Sequence, residues 1–173
     1  WCSVLLAADA ASRLAADSAS NHEFEPATAR AAGLLHNLGL LWLVDRLPAQ
    51  VDQAFIMVKS NHAESIQQAL TQVLGVDQAQ SGRYLGNSWA LPEPLVSAMA
   101  YYPEADYQGS HCELVATVGL AVRLVAAVLK EEPCPEQDIR MSILGITDEK
   151  VISVFEQLSG QMAITRDIAK VLI

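Results

Sequence analysis

The sequence predicts an all-α protein, a single multi-helix bundle occupying residues 1–173. Apolar side chains recur at spacings of three and four along most of the chain, helix start and stop signals punctuate those stretches, and no two segments alternate in the way a strand pair would. With 51% of its residues apolar and only 6% aromatic, a chain of this length can bury a substantial core.

The first helix is expected over residues 4–19, with Val4, Ala8, Ala11 and Ala15 on one stripe and Leu5 and Leu14 beside it. It dissolves at "SASNHEFE", where Gly-free polar residues crowd together. Pro26 suits the first turn of a second helix carrying Leu34, Leu35, Leu38, Leu41, Trp42 and Val44, which Pro48 ends. Apolar nearly all round, this helix reads as a central one. Asn61 with Glu64 resembles a capping box for a helix that carries Ile66, Ala69, Leu70 and Val73 and stops at Gly75. Asp77 can cap the next, which runs to about Trp89, and Pro92 and Pro94 open a short helix holding Leu95, Met99 and Tyr102. After the loop "YPEADYQG", Ser110 with Glu113 reads as a second capping box, and the helix behind it, strongly apolar from Leu114 to Leu129, is a second candidate for the centre of the bundle. Thr147, followed by Asp148 and Glu149 where the helix dipole favours acid, opens the last helix, with Val151, Phe155, Leu158 and Met162 on one side.

Composition excludes several functions. A net charge of −9 with Lys and Arg scattered singly leaves no basic stripe for a phosphate backbone, so no nucleic-acid partner is expected. Charged or amide residues interrupt the apolar runs before they reach the roughly 20 residues of a membrane span, and no leader pattern is present, so no membrane partner is expected and a cytoplasmic location is. Three cysteines, Cys2, Cys112 and Cys134, fit a reducing compartment better than a disulfide framework. Because it starts at Trp1, the chain reads as an excised piece of a longer protein. No nucleophile pattern, glycine-rich phosphate loop or CxxC pair occurs.

One stretch stands apart: "GLLHNLGLLWL" wedges His36 and Asn37 into an apolar run. It resembles the "GLLHDIGKL" segment of the HD superfamily, all-helical metal-dependent phosphohydrolases in which the His and Asp sit at the heart of the metal site. More closely, the chain resembles the HDOD variant of that superfamily. "WCSVLLAADAASRLA" is similar to that family's first helix, "LGVDQAQSGRYLGNSWALPEPLVSAMAYYP" to its central pattern, and "LGITDEKVISVFEQL" to its C-terminal helix. The resemblance implies a bundle of the HD-domain type.

Carried over residue by residue, it also implies that the metal site is dismantled. The first-helix histidine falls on Ser3, the Asp of the dyad on Asn37, the histidine after the "LGVD" turn on Gln78, the two histidines after the short helix on Tyr101 and Tyr102, and the late aspartate on Val122. His36 alone retains a ligand. Hard cations want anionic oxygens, a neutral amide is a weak ligand, and valine has no lone pair. No metal, no cofactor and no catalytic residue are therefore expected. His36 reads as a neutral core histidine satisfied by Asn37, Ser3 or a backbone carbonyl, and Asn37 as a bridge between helices.

What the resemblance then implies is a bacterial, non-catalytic signal-transduction domain acting through contacts with protein partners such as receiver or cyclic-dinucleotide domains. Tyr101, Tyr102 and Tyr107 are the expected contact residues, since tyrosine joins apolar area to a polar tip and loops carry recognition. Two other readings stay open: a metal-dependent phosphohydrolase using His36, and a domain sensing a small anionic or nucleotide ligand in the vacated cleft. His22, His62 and His111 read as solvated, Trp42 and Trp89 as core.

Overall fold

The structure is a computed structural model that describes the backbone of residues 2–16 and 24–171 and the side chains of residues 3–16 and 24–162. His22 and the last residues expected in the first helix lie outside the described residues. The described residues form ten α-helices and no strand. They are α1 (Cys2–Ala16), α2 (Pro26–Leu35), α3 (Leu38–Arg46), α4 (Pro48–Lys59), α5 (Ile66–Leu74), α6 (Gln78–Ser88), α7 (Glu93–Tyr101), α8 (Cys112–Lys130), α9 (Ile139–Leu144) and α10 (Asp148–Val171).

The centre of the bundle is α8, not the segment around His36. Twelve α8 residues are buried, among them Leu114, Leu120 and Leu124, each contributing about 1.5–3 kcal/mol by leaving water. Against the expectation that every apolar run is too short, α8 is long and apolar enough to cross a bilayer, a test that the buried core helix of a bundle also passes. Around it pack α1, α2, α7, α9 and α10, and their side chains form the main core. A smaller core of Leu43, Val51, Ala54, Ala63, Ala69 and Leu70 lies between α3, α4 and α5.

The expected second helix is two. A turn at His36 and Asn37 separates α2 from α3, and of the apolar side chains that suggested a central helix, Leu34, Leu41 and Val44 face outward. The circumference is apolar because α3 serves the smaller core with Leu43 and carries part of its apolar surface uncovered. Trp89 is likewise exposed, standing at the C-cap of α6. Pro48 does stand where α3 stops, after the Leu47 C-cap, but it also opens a further helix, α4, where its missing N–H costs no hydrogen bond.

Two expected capping boxes are built differently. Ser65, not Asn61, caps α5, accepting from the Gln68 N–H at 3.2 Å, while Asn61 turns the chain out of α4 at φ +57°. At α8 the N-cap is His111, at φ +61° and with no side-chain cap bond. The Asp77 and Thr147 caps do form, Asp77 as a full box with Gln80 and Thr147 accepting from the Lys150 N–H, and Gly75 closes α5 at φ +77°. A helix unforeseen in the sequence, α9, starts at an Asp138 cap and stops at Gly145 in the left-handed region.

Candidate functional site

The turn that carries His36 is pinned from both sides by glycine. On α2, a Cβ at Gly33 would sit 2.7 Å from the Ala8 Cα of α1; on α3, a Cβ at Gly39 would sit 2.0 Å from the Gln78 carbonyl oxygen and 2.4 Å from the Gly82 nitrogen of α6. Both crossings are backbone on backbone, which only glycine permits. Hence "GLLHNLG" holds its His-Asn turn in the angle between α1 and α6.

There, Ser3 of α1, His36, Asn37, Gln78 of α6, Tyr102 and Val122 of α8 line one pocket of about 240 Å³, with Ala7, Leu40, Ile66, Val125, Ala126 and Leu129 completing an apolar wall. The structure thus brings together six of the seven positions singled out in the sequence. Tyr101 is the one it does not. It stacks instead on Tyr107, centroids 4.5 Å apart and planes 15° from parallel, with the Arg83 guanidinium 5.6 Å from its ring.

His36 is buried, and its Nδ1 lies 2.6 Å from the Gly33 carbonyl. That carbonyl can only accept, so Nδ1 carries the proton and Nε2 is left as an acceptor. Burial holds the imidazole below its ordinary value, against the carbonyl bond that favours protonation, so the ring is neutral at pH 7. Asn37, half-buried, does not cap α3 with its side chain. Tyr102 closes the pocket: its ring meets His36 edge-on, centroids 5.2 Å apart at 82°. Burial first, and the Asp77 charge after it, raise its phenol above the usual value, while a 3.4 Å bond from Gln78 Nε2 opposes them. The other end of that amide, Gln78 Oε1, is buried with no partner, a state that costs about 1–3 kcal/mol.

Tyr102 turns inward and is 7% exposed, so it is no contact residue; its area is spent on His36 and Gln78. Tyr101 and Tyr107 keep part of their surface.

Behind the pocket lies a second buried polar cluster that the sequence reading missed. Asp138, the α9 cap, accepts from the Arg140 backbone N–H at 2.9 Å, from Arg140 Nη1 at 3.1 Å and from Arg123 Nη1 at 2.6 Å. Arg140 also reaches the Tyr102 and Pro103 carbonyls with Nη2, across α8 at Gly119, where a Cβ would come 2.6 Å from Nε. Burial alone would raise the Asp138 carboxyl, but the backbone bond, the Arg123 bond and both guanidinium charges hold it below the ordinary carboxylate value. The signal was present as an Asp two residues before an Arg in front of an apolar run ending at Gly145.

The pocket does not fit a divalent metal. None of its described lining residues is an Asp, Glu, Lys or Arg, its one imidazole offers a single lone pair, and Val122 and Leu40 supply methyl groups where oxygen ligands would be needed. Among the described residues no three His, Cys, Asp or Glu side chains stand close enough to hold an ion elsewhere.

The sequence profile of the HDOD domain matches residues 1–105. No curated protein matches the sequence. Among solved structures, the chain is similar to a protein from Marinobacter aquaeolei VT8, provisionally named as a signal transduction protein, with 22% identity, a TM-score of 0.81, and coverage of 98% of this chain and 38% of that one. A protein from Shewanella amazonensis SB2B, provisionally named as a phosphohydrolase, aligns at 23% identity and a TM-score of 0.71 over 92% of this chain and 58% of its own. An HDOD domain protein of unknown function from Geobacter sulfurreducens aligns at 19% and 0.72 over 96% and 60%. At these identities the likeness is one of fold. The chain spans less than two thirds of the length of each.

Proposed function

The chain belongs to the HDOD domain family, and from that premise we propose that it is a non-catalytic, cytoplasmic signal-transduction domain of a bacterial protein, working through contacts with protein partners. One observation carries the reading: where the related phosphohydrolases need several ligands, the pocket offers His36 among Ser3, Asn37, Gln78, Tyr102 and Val122, with no carboxylate. A metal-activated water needs a cation held by several strong donors, and a single neutral imidazole cannot retain one against solvent.

The experiment is metal retention. After incubation with Mn²⁺, Fe²⁺ and Mg²⁺ and removal of free ion, mass spectrometry should find less than a tenth of an equivalent, roughly the level of nonspecific carry-over. Stoichiometric metal lost in His36→Ala would overturn the reading and restore the phosphohydrolase alternative.

For the contact surface, the stacked pair Tyr101 and Tyr107 beside Arg83 remains the candidate, because it joins partly exposed aromatic area to a cation. A folded Tyr101→Ala/Tyr107→Ala variant should recover fewer receiver-type partners from a bacterial host in pull-down experiments. Undiminished recovery would remove this surface from consideration.

A further inference from the structure

Where α9 gives way to α10, open apolar area meets unpaired charge, and neither the His36 pocket nor the tyrosine stack makes use of it. Two hollows of about 650 and 340 Å³ lie side by side there, and Gln137 and Asp148 line both, so together they form one groove between the 134–137 segment, α9 and the start of α10. Ile139 lines the first hollow and Ile152 the second, 50% and 47% exposed, with Pro135, Met141 and Val151 continuing the apolar floor. The rim is acidic. Glu136 and Asp148 line the groove, Glu149 follows on α10, and none of the three enters an ion pair with another described residue. Residues 131–156 hold seven carboxylates against two cations, Arg140 and Lys150, a net −5 of the chain's −9. Asp138 and Arg140 answer each other inside the fold, while the other six carboxylates are exposed. The α10 dipole absorbs part of the Asp148 charge, but Glu136 stands off the helix and has no such use. Both carboxylates face the half-buried Cys134 thiol of the smaller hollow: burial first, then Glu136 and Asp148, push that thiol above its ordinary value.

We infer that this groove docks a basic amphipathic helix of a partner protein, whose apolar stripe covers Ile139 and Ile152 and whose flanking Lys or Arg side chains meet Glu136 and Asp148. The inference deepens the proposed action through protein contacts, and rests on it. Charge decides the partner. Nucleic acid and anionic lipid are repelled by the carboxylates, and a second copy of the chain would bring an identical acidic rim against this one. An uncharged apolar segment would cover the isoleucines but strip water from the rim without answering it. A helix fits because the described bundle has no strand whose edge could be extended, and a groove between helical elements takes side chains spaced at i, i+3 and i+4.

Three peptides make the test: KLLKKLLKKLLKKL, which is basic and amphipathic, ELLEELLEELLEEL, which keeps the stripe and reverses the charge, and KSSKKSSKKSSKKS, which keeps the charge and loses the stripe. Calorimetric titration of the whole chain at about 0.15 M salt should give the first a dissociation constant below about 100 μM, with the other two weaker by about tenfold or more. Ile139→Ser/Ile152→Ser should weaken the first peptide about tenfold, and Glu136→Gln/Asp148→Asn about threefold or more. Asp52→Asn/Glu64→Gln removes the same charge beside the smaller core and should leave binding unchanged. Circular dichroism reports that each variant is folded, and the two groove variants test the site independently. No binding of the first peptide, equal binding of either control peptide, or binding that the distant pair weakens as much as the groove pairs would each overturn the inference. Its failure is distinguishable from that of the proposed function: an idle groove on a metal-free chain sinks the groove alone, whereas stoichiometric metal lost in His36→Ala sinks the non-catalytic reading.

Discussion

The pocket around His36 and the cluster between α8 and α9 are both polar, both buried, and both joined to Tyr102, one through its ring and hydroxyl and the other through its carbonyl. They solve burial in opposite ways. Asp138, Arg140 and Arg123 pair charge with charge and spread hydrogen bonds over one carboxylate, so most of their polar atoms are answered from within the chain, Arg140 Nε excepted. Around His36 the polar groups are neutral, the imidazole because burial keeps it so, and one amide oxygen, Gln78 Oε1, is buried without a partner. Pairing charge with charge makes each member depend on the other's staying in place, whereas a neutral site loses less when one member is changed.

The sharpest way to break this contrast is Asp138→Ala. It strands the Arg140 guanidinium, whose side chain is 8% exposed, and should cost about 3–5 kcal/mol in urea unfolding, because an unpaired buried charge is left behind. A loss under about 1 kcal/mol would mean the charged cluster is not what holds α9 to α8.

Acid separates the two regions by pH window. The folded state keeps His36 below the ordinary imidazole value of 6.5, so the unfolded chain binds that proton more readily; stability is intact above about pH 6.5 and declines as pH falls below it. Asp138 is depressed from 3.8, so its contribution holds above that value and disappears only in stronger acid. Melts of wild type and His36→Leu between pH 7 and 4.5 should differ in slope by up to about 1.4 kcal/mol per pH unit, the variant being flatter. Parallel curves would show that His36 is not kept neutral by folding.

The smallest effect is expected at Gln78. Gln78→Leu relieves an unpaired oxygen while giving up one 3.4 Å bond to Tyr102, and stability should move by no more than about 1 kcal/mol, upward if at all. A large loss would mean that the amide is a structural tie to Tyr102.

The helices with strong periodicity and clear terminators were legible in the sequence: α5 with its Gly75 stop, α6 with its Asp77 cap, α8 with its long apolar run. What escaped were short elements and inversions of burial. α9 has six residues, too few for a periodic pattern to emerge, and α4 opens on a proline that also serves as a stop signal. Leu34, Leu41, Val44 and Trp89 looked like core because periodicity reports a side chain's face and not whether a neighbour covers it. The site's members were found through resemblance, but their roles needed coordinates: nothing in a string of letters tells Tyr102, which closes the pocket, from Tyr101, which stacks outside it.

The glycines flanking the His-Asn turn bear on how such a chain can diverge. Residues that line the pocket meet one another through side chains, and each can be exchanged singly while the helices stay where they are. Gly33 and Gly39 have no such latitude, since any side chain there collides with the main chain of α1 or α6. Descent can therefore strip the pocket of its ligands one by one without loosening the frame around it, and in a set of descendants of this chain Gly39 should outlast His36.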